Sequence, residues 1–334
     1  MLAGAGSSQS AALSIRVSGN HFVNGSGHTI RLLGVNRSSF EYACAQGWGL
    51  NEGPTDAAAI AAMKSWRINV VRVPLNEACW LGLSSVKPQY RGATYRRAVG
   101  AFVQRLHAAG LYVILDLHWN APGKARALGQ QLMPDADHTP AFWRSVATTL
   151  KADHAVLFDL YNEPHDVSWS CWRSGCGPWV GMQRLVTTIR ATGATQPILV
   201  GGLGWAGMLD GWLRMQPSDP RHALVASVHK YNFGGGCVTQ TCWNAQIAPV
   251  AARVPVVTGE LGERDCGTAF IRRFMRWADA HDVSYLGTAW KPGPCASPAL
   301  IDDYTGRPTP YGAGLERHFD ALARAKQDVR VGAD

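Results

Sequence analysis

Two glutamates stand at the ends of short apolar runs: Glu163, inside Asn162-Glu163-Pro164, and Glu260, inside Thr258-Gly259-Glu260-Leu261. Arg72, His118, Trp119, His229, Tyr231 and Trp290 hold similar positions near the ends of other runs. A pair of carboxyl groups facing one another supports one demanding reaction, the opening of a sugar acetal. One group protonates the departing oxygen while the other attacks the anomeric carbon or activates water. Taken singly, each residue has a plainer use. A terminal Glu serves as a helix-dipole partner or surface charge, a lone His as a satisfied core residue, Arg72 as an ion-pair partner and Trp290 as packing. Their joint arrival at successive run ends outweighs those readings. Other hydrolytic chemistries lack their residues: there is no His-x-His or His-Glu-x-x-His pair for a metal and no Gly-x-Ser-x-Gly elbow. No metal or cofactor is expected.

Eight apolar runs carry these residues, at 31–36, 69–75, 112–119, 156–164, 197–205, 223–232, 254–263 and 284–293. Helical stretches separate them. Thr55 caps one that runs through Trp66, and Thr94 opens another that Gly110 closes. Thr139-Pro140 begins a third, reaching His154. Others span 178–192, 267–281 and 311–327, with a short, weakly marked one near 208–215. Strands alternating with helices imply a parallel sheet covered by helices. A Gly-rich phosphate turn would mark an open doubly wound sheet, but the first run ends in Gly34-Val35-Asn36-Arg37. The expected fold is therefore α/β, a (β/α)₈ TIM barrel, whose strand C-termini form the catalytic face. Strands 4 and 7 lie across such a barrel, so Glu163 and Glu260 meet over its mouth. Alternation around Asn24-Gly25 predicts a short N-terminal β-hairpin.

The expected domain organisation is a disordered N-terminus at 1–13 and one catalytic domain at 14–330. The opening segment lacks the ~7–15-residue apolar stretch of a signal peptide and reads as a mature N-terminus. No apolar run approaches the ~18–20 residues of a membrane span, so a soluble protein without a membrane partner is expected. The net charge is +8, but the basic residues are scattered, which argues for solubility and against a nucleic-acid partner. Eight cysteines without zinc spacing favour disulfides and secretion. Sequential pairing is the simplest of ~105 arrangements: Cys44–Cys79, Cys171–Cys176, Cys237–Cys242 and Cys266–Cys295. A monomer is expected.

Near the ends of its runs the sequence resembles the cellulases of glycoside hydrolase family 5, a retaining (β/α)₈ family. The likeness extends from Gly34-Val35-Asn36 to Trp290, with Asn162-Glu163-Pro164 its most specific motif. The resemblance implies that Glu163 is the general acid/base and Glu260 the nucleophile. Glu163 then has to hold its proton while Glu260 stays ionised. It further implies that Arg72 and Tyr231 keep Glu260 anionic and oriented, and that Asn162 binds the sugar 2-hydroxyl. His118 would contact sugar hydroxyls, His229 would sit beside the acid/base, and Trp290 would floor the subsite of the attacked sugar.

An indole face stacks on the C–H face of a pyranose. Trp66, Trp143, Trp179, Trp212 and Trp277 fall in helical patterns and read as core. Trp48, Trp119, Trp169, Trp172, Trp205 and Trp243 fall at run ends or in loops, with Trp119 and Trp205 the foremost cleft candidates. The long stretch 121–138 reads as a functional loop, with Asp135 and Asp137 as surface charges on it. The expected substrate is a β-1,4-glucan polymer or oligosaccharide cut internally. Alternatives are mannan, xyloglucan, or exo-action on short glycosides with the segment from Cys171 to Trp179 as a wall. A noncatalytic carbohydrate-binding barrel is the distant alternative.

Overall fold

The computed structural model describes residues 13–233 and 236–331. Residues 1–12 of the segment expected to be disordered lie outside the described residues. Eight parallel strands close into a barrel. They are β1 (Leu33–Asn36), β2 (Val70–Asn76), β3 (Tyr112–Trp119), β4 (Val156–Asp159), β5 (Ile198–Gly201), β6 (Leu224–Tyr231), β7 (Val256–Gly262) and β8 (Ser284–Gly287). Each pairs with its sequence neighbours, and β8 pairs with β1.

The two faces of each strand take different solvents. On β2, Val71, Val73 and Leu75 pack outward into the large core shared with the helices. Val70 points the other way, into an apolar layer with Ile114, Leu157, Leu199, Val225, Val257 and Leu286. That layer fills the lower barrel, and Ile15 and Phe22 close it from below. They belong to a three-stranded antiparallel sheet, Ile15–Ser18, His21–Asn24 and Thr29–Ile30, so a third strand joins the expected hairpin. Two residues further along β2, β3 and β4 the inward face becomes polar: Arg72, Asp116 and Asp159 are all buried. The period of two thus stacks a charged layer on the apolar plug.

The helices follow the expected order with shifted ends. The second runs Ala93–Ala108 and buries Tyr95, Val99, Phe102, Val103 and Leu106, a stripe at helical spacing. Asp56, rather than Thr55, caps Ala57–Ser65 by accepting from the Ala59 N–H at 2.9 Å. Thr139 lies inside Thr139–Leu150. Asp135 takes the capping role there, accepting from the His138 and Thr139 N–H groups at 2.8 and 3.3 Å. Disulfides join Cys44–Cys79, Cys171–Cys176, Cys237–Cys242 and Cys266–Cys295. All four lie in segments that follow strand C-termini, and two of them tie neighbouring mouth loops together: β1 to β2, and β7 to β8.

Candidate active site

Arg72 organises the mouth from within the barrel. Its guanidinium is wholly buried and uses its fork in several directions. Nε reaches Asp159 at 3.0 Å, and Nη2 reaches Asp116 at 3.0 Å and Asn162 Oδ1 at 2.9 Å. Nη1 donates to Asn36 Oδ1 and to Glu260 Oε1, both at 3.0 Å. The other oxygen of Glu260 accepts a hydrogen bond from the Tyr231 hydroxyl. Burial alone would raise the Glu260 carboxyl. The charges of His229, Arg72 and His118, with the Tyr231 hydrogen bond, outweigh it and hold Glu260 down at about 2.

The inward aim of Glu260 depends on an irregularity in β7. Val228 pairs with Thr258, but His229 pairs with Glu260, so Gly259 is an extra residue. Strict alternation from Val257 would turn Glu260 outward, and the bulge restores it. A side chain at 259 would meet His229 Nε2 at 2.9 Å and Ser227 Oγ at 3.1 Å, which explains the glycine.

Glu163 lies four residues past the end of β4. His229 Nδ1 stands 2.9 Å from its Oε1. His229 Nε2 is buried without a partner, so Nδ1 is the ring atom through which His229 meets Glu163. One donor atom each from Glu163, His229 and Glu260 lie within 4.8 Å of one another. An oxygen–oxygen approach of 4.8 Å or less is nearer the ~5–5.5 Å carboxyl separation of direct nucleophilic displacement than the ~6.5–9.5 Å that leaves room for a water. It is also close enough for a cation, but the guanidinium on Glu260 already supplies the positive charge there.

Other expected residues divide into those at the mouth and those away from it. His118 Nδ1 stands 2.6 Å from Asp116 Oδ2. Burial opposes a charged imidazole, but Asp116, then Glu41 and Glu260, push His118 up to about 9. Its folded value thus exceeds the ~6.5 of an unperturbed histidine. The stabilisation it brings is complete below about 6.5 and is lost as pH rises through about 9. An NMR titration of the His118 ring should therefore show a midpoint near 9, and His118→Gln should flatten the fall in urea-unfolding stability over that interval. A midpoint near 6.5 would count against the Asp116 pairing.

A cleft of about 510 Å³ opens beside the glutamates, lined by Trp205, His229, Tyr231, Phe233 and Arg264 among others. Trp205 is 52% exposed and stacks on His165 with ring centroids 3.5 Å apart. Trp119 is half-buried at the end of β3, 6.1 Å from Tyr42, which leads to exposed Trp48 at 5.9 Å. Trp290 departs from expectation. It is 1% exposed and packs edge-on to Trp66 at 4.8 Å, because β8 ends at Gly287 and the chain then turns it into the helix layer. With no open face it is a packing residue and not a sugar floor. Trp172 and Trp243 are likewise buried, whereas Trp179 sits half-buried in a two-residue strand.

Asp135 is buried too, bonded by Asn120 at 2.8 Å, so it fastens the long loop and carries no surface charge. The segment from Cys171 to Trp179 pairs with that loop's end through Asp135 and Trp179 and does not line the cleft. Asp116, Asp159, Asn36 and Gln130 were not singled out in the sequence. Counting by twos from His118 reaches Asp116, and Asp159 is the one charge in Val156–Asp159.

The family model for cellulase, glycosyl hydrolase family 5, matches residues 23–293. The chain belongs to glycosyl hydrolase family 5. An endoglucanase of Streptomyces lividans is 23% identical over 300 residues, covering 84% of this chain and 59% of the relative. A mannan endo-1,4-β-mannosidase of the same organism is 24% identical, over 86% of this chain and 68% of the relative. The chain spans 40% to 59% of the length of four curated endoglucanases it matches. Among solved folds, a β-glucanase of Saccharophagus degradans in complex with cellotetraose superposes with a TM-score of 0.74 at 20% identity, covering 96% of this chain and 98% of that one. The family 5 barrel therefore accounts for the whole frame around the two glutamates.

Proposed function

We propose that the chain is a retaining endo-β-1,4-glucanase working by double displacement. The spacing of the Glu163 and Glu260 donor atoms, within 4.8 Å, carries this reading. Glu260, held ionised by Arg72 and Tyr231, attacks the anomeric carbon. Glu163 delivers its proton to the leaving oxygen, then takes one from the water that releases the sugar. His229 meets Glu163 through Nδ1 and steadies the carboxylate formed in the first step. Trp205 lies against the segment just after Glu163, its main-chain N–H donating to Pro164 O at 3.1 Å. That position supports its use as the platform for the leaving sugar, with Trp119 as a second platform. Asn162 and His118 serve the sugar hydroxyls.

The organisation proposed is one catalytic domain over 14–330, acting as a monomer outside the cell. The four disulfides support an oxidising compartment, and among the described residues no helix is long and apolar enough to cross a membrane. Mannan is the second substrate reading, supported by the mannosidase relative.

A substrate panel tests the reading. On carboxymethyl-cellulose, β-glucan, mannan, xylan and aryl cellobioside, internal cutting of the glucans should dominate. The first-formed sugar should keep the β configuration by NMR. Release of an α-anomer would overturn the mechanism, and faster cutting of mannan would replace the substrate.

A further inference from the structure

Residues 130–132 of the loop after β3 lie along Tyr161-Asn162-Glu163-Pro164-His165 and are fastened to it at successive positions. The Tyr161 hydroxyl accepts from the Gln131 N–H at 3.0 Å and stands 2.8 Å from both Gln131 O and Asn120 Oδ1. The His165 N–H donates to Leu132 O at 3.0 Å. Between these two clasps, Gln130 reaches the site itself. Its Oε1 accepts from Asn162 Nδ2 at 2.6 Å, and its Nε2 donates to the main-chain oxygen of Glu163.

A primary amide has two N–H donors and one carbonyl acceptor. Asn162 Oδ1 is already taken by Arg72 at 2.9 Å. With one N–H on Gln130, the amide plane is held at both ends, and a single N–H is left for a ligand. The same Gln130 carboxamide ties down the backbone of the neighbouring glutamate. We infer that Gln130 is a positioning residue, one that aims the free N–H of Asn162 at the sugar hydroxyl beside the reacting carbon and registers Glu163 against it. The inference rests on the glycosidase reading above. It makes the long loop part of the catalytic apparatus through one side chain, since a displacement of about 1 Å in such a contact costs about 100-fold in rate.

The test compares wild type, Gln130→Leu and Gln130→Glu on an aryl β-cellobioside and on its 2-deoxy analogue at the reacting sugar. Gln130→Leu removes both contacts at nearly constant volume, whereas Gln130→Glu keeps the acceptor for Asn162. Gln130→Leu should lower kcat on the cellobioside by about 10-fold to 100-fold with KM within about threefold. Its loss on the 2-deoxy substrate should be several times smaller, and adding it to Asn162→Ala should cost little more. Gln130→Glu, which keeps the acceptor for Asn162 but loses the donor to Glu163 O, should fall between wild type and Gln130→Leu on the cellobioside. Equal losses on the two substrates, or full additivity with Asn162→Ala, would mean a general structural role and overturn the inference alone. If Gln130→Leu does not fold, a Gln130→Glu variant as impaired on both substrates equally overturns it too. A wild type that cleaves no β-glycoside with retention overturns the parent reading, and this one with it.

Discussion

Glu260→Ala should abolish turnover of the natural glycan, with a loss on the order of 10⁴-fold or more, while the protein stays folded. The carboxylate is the atom source of the covalent bond in this mechanism, and no neighbour can take its place. Arg72 would still hold Asp116 and Asp159 at 3.0 Å, so the charged layer survives the truncation. The vacated space gives a sharper assay than inactivity alone. Azide entering it should attack an activated aryl glycoside from the nucleophile's side and yield the α-glycosyl azide, the product of one inversion. Glu163→Ala should behave differently: it should spare the first step on activated aryl glycosides and return the β-azide, since Glu260 still acts first. Retention of more than a few per cent of activity in Glu260→Ala, or exchanged azide configurations, would sink the assignment.

The barrel was readable because its signals are local and repeated. Each strand is a short apolar run, and helix ends carry punctuation such as Gly110 at φ +78. Glu163 and Asn162 were readable for the same reason, as a compact motif at one run's end. Three things were not readable. The bulge at Gly259 leaves the letters of β7 unchanged, yet it decides which face Glu260 occupies. The direction of the chain after β8 sent Trp290 into the helix layer, and only tertiary packing against Trp66 fixes that. The buried charges Asp116 and Asp159 look like ordinary strand residues until Arg72 is seen between them. Asp135 shows the same limit, because burial and capping bonds depend on where a loop without periodicity folds back.

The second large effect is expected at Arg72. Removing it, as in Arg72→Met, leaves buried Asp116 and Asp159 and the cleft-lining Glu260 facing one another with their shared cation gone. Breaking a buried pair from one side typically costs about 3–5 kcal/mol, and here several carboxyl groups lose the same partner, so the variant should unfold at markedly lower urea or fail to accumulate. Burial already pushes Asp159 up to about 7, with Asp116 adding to it, even though Arg72 opposes the rise. Its neutral form is therefore the state into which the layer would relax. Arg72→Lys is the informative variant, since it keeps a charge but loses the planar fork that reaches Asn36, Asn162 and Glu260 together. It should fold with reduced stability. Glu260, depressed to about 2 in the folded protein, stabilises the fold above the ~4.3 of a free glutamate and loses that contribution as pH falls through about 2. In Arg72→Lys the acid limb of kcat/KM should move upward from about 2 toward ~4.3, where a Glu260 held by one point charge takes up its proton. A limb that stays in place, in a variant of wild-type stability, would show that Tyr231, His229 and His118 suffice to keep the nucleophile ionised.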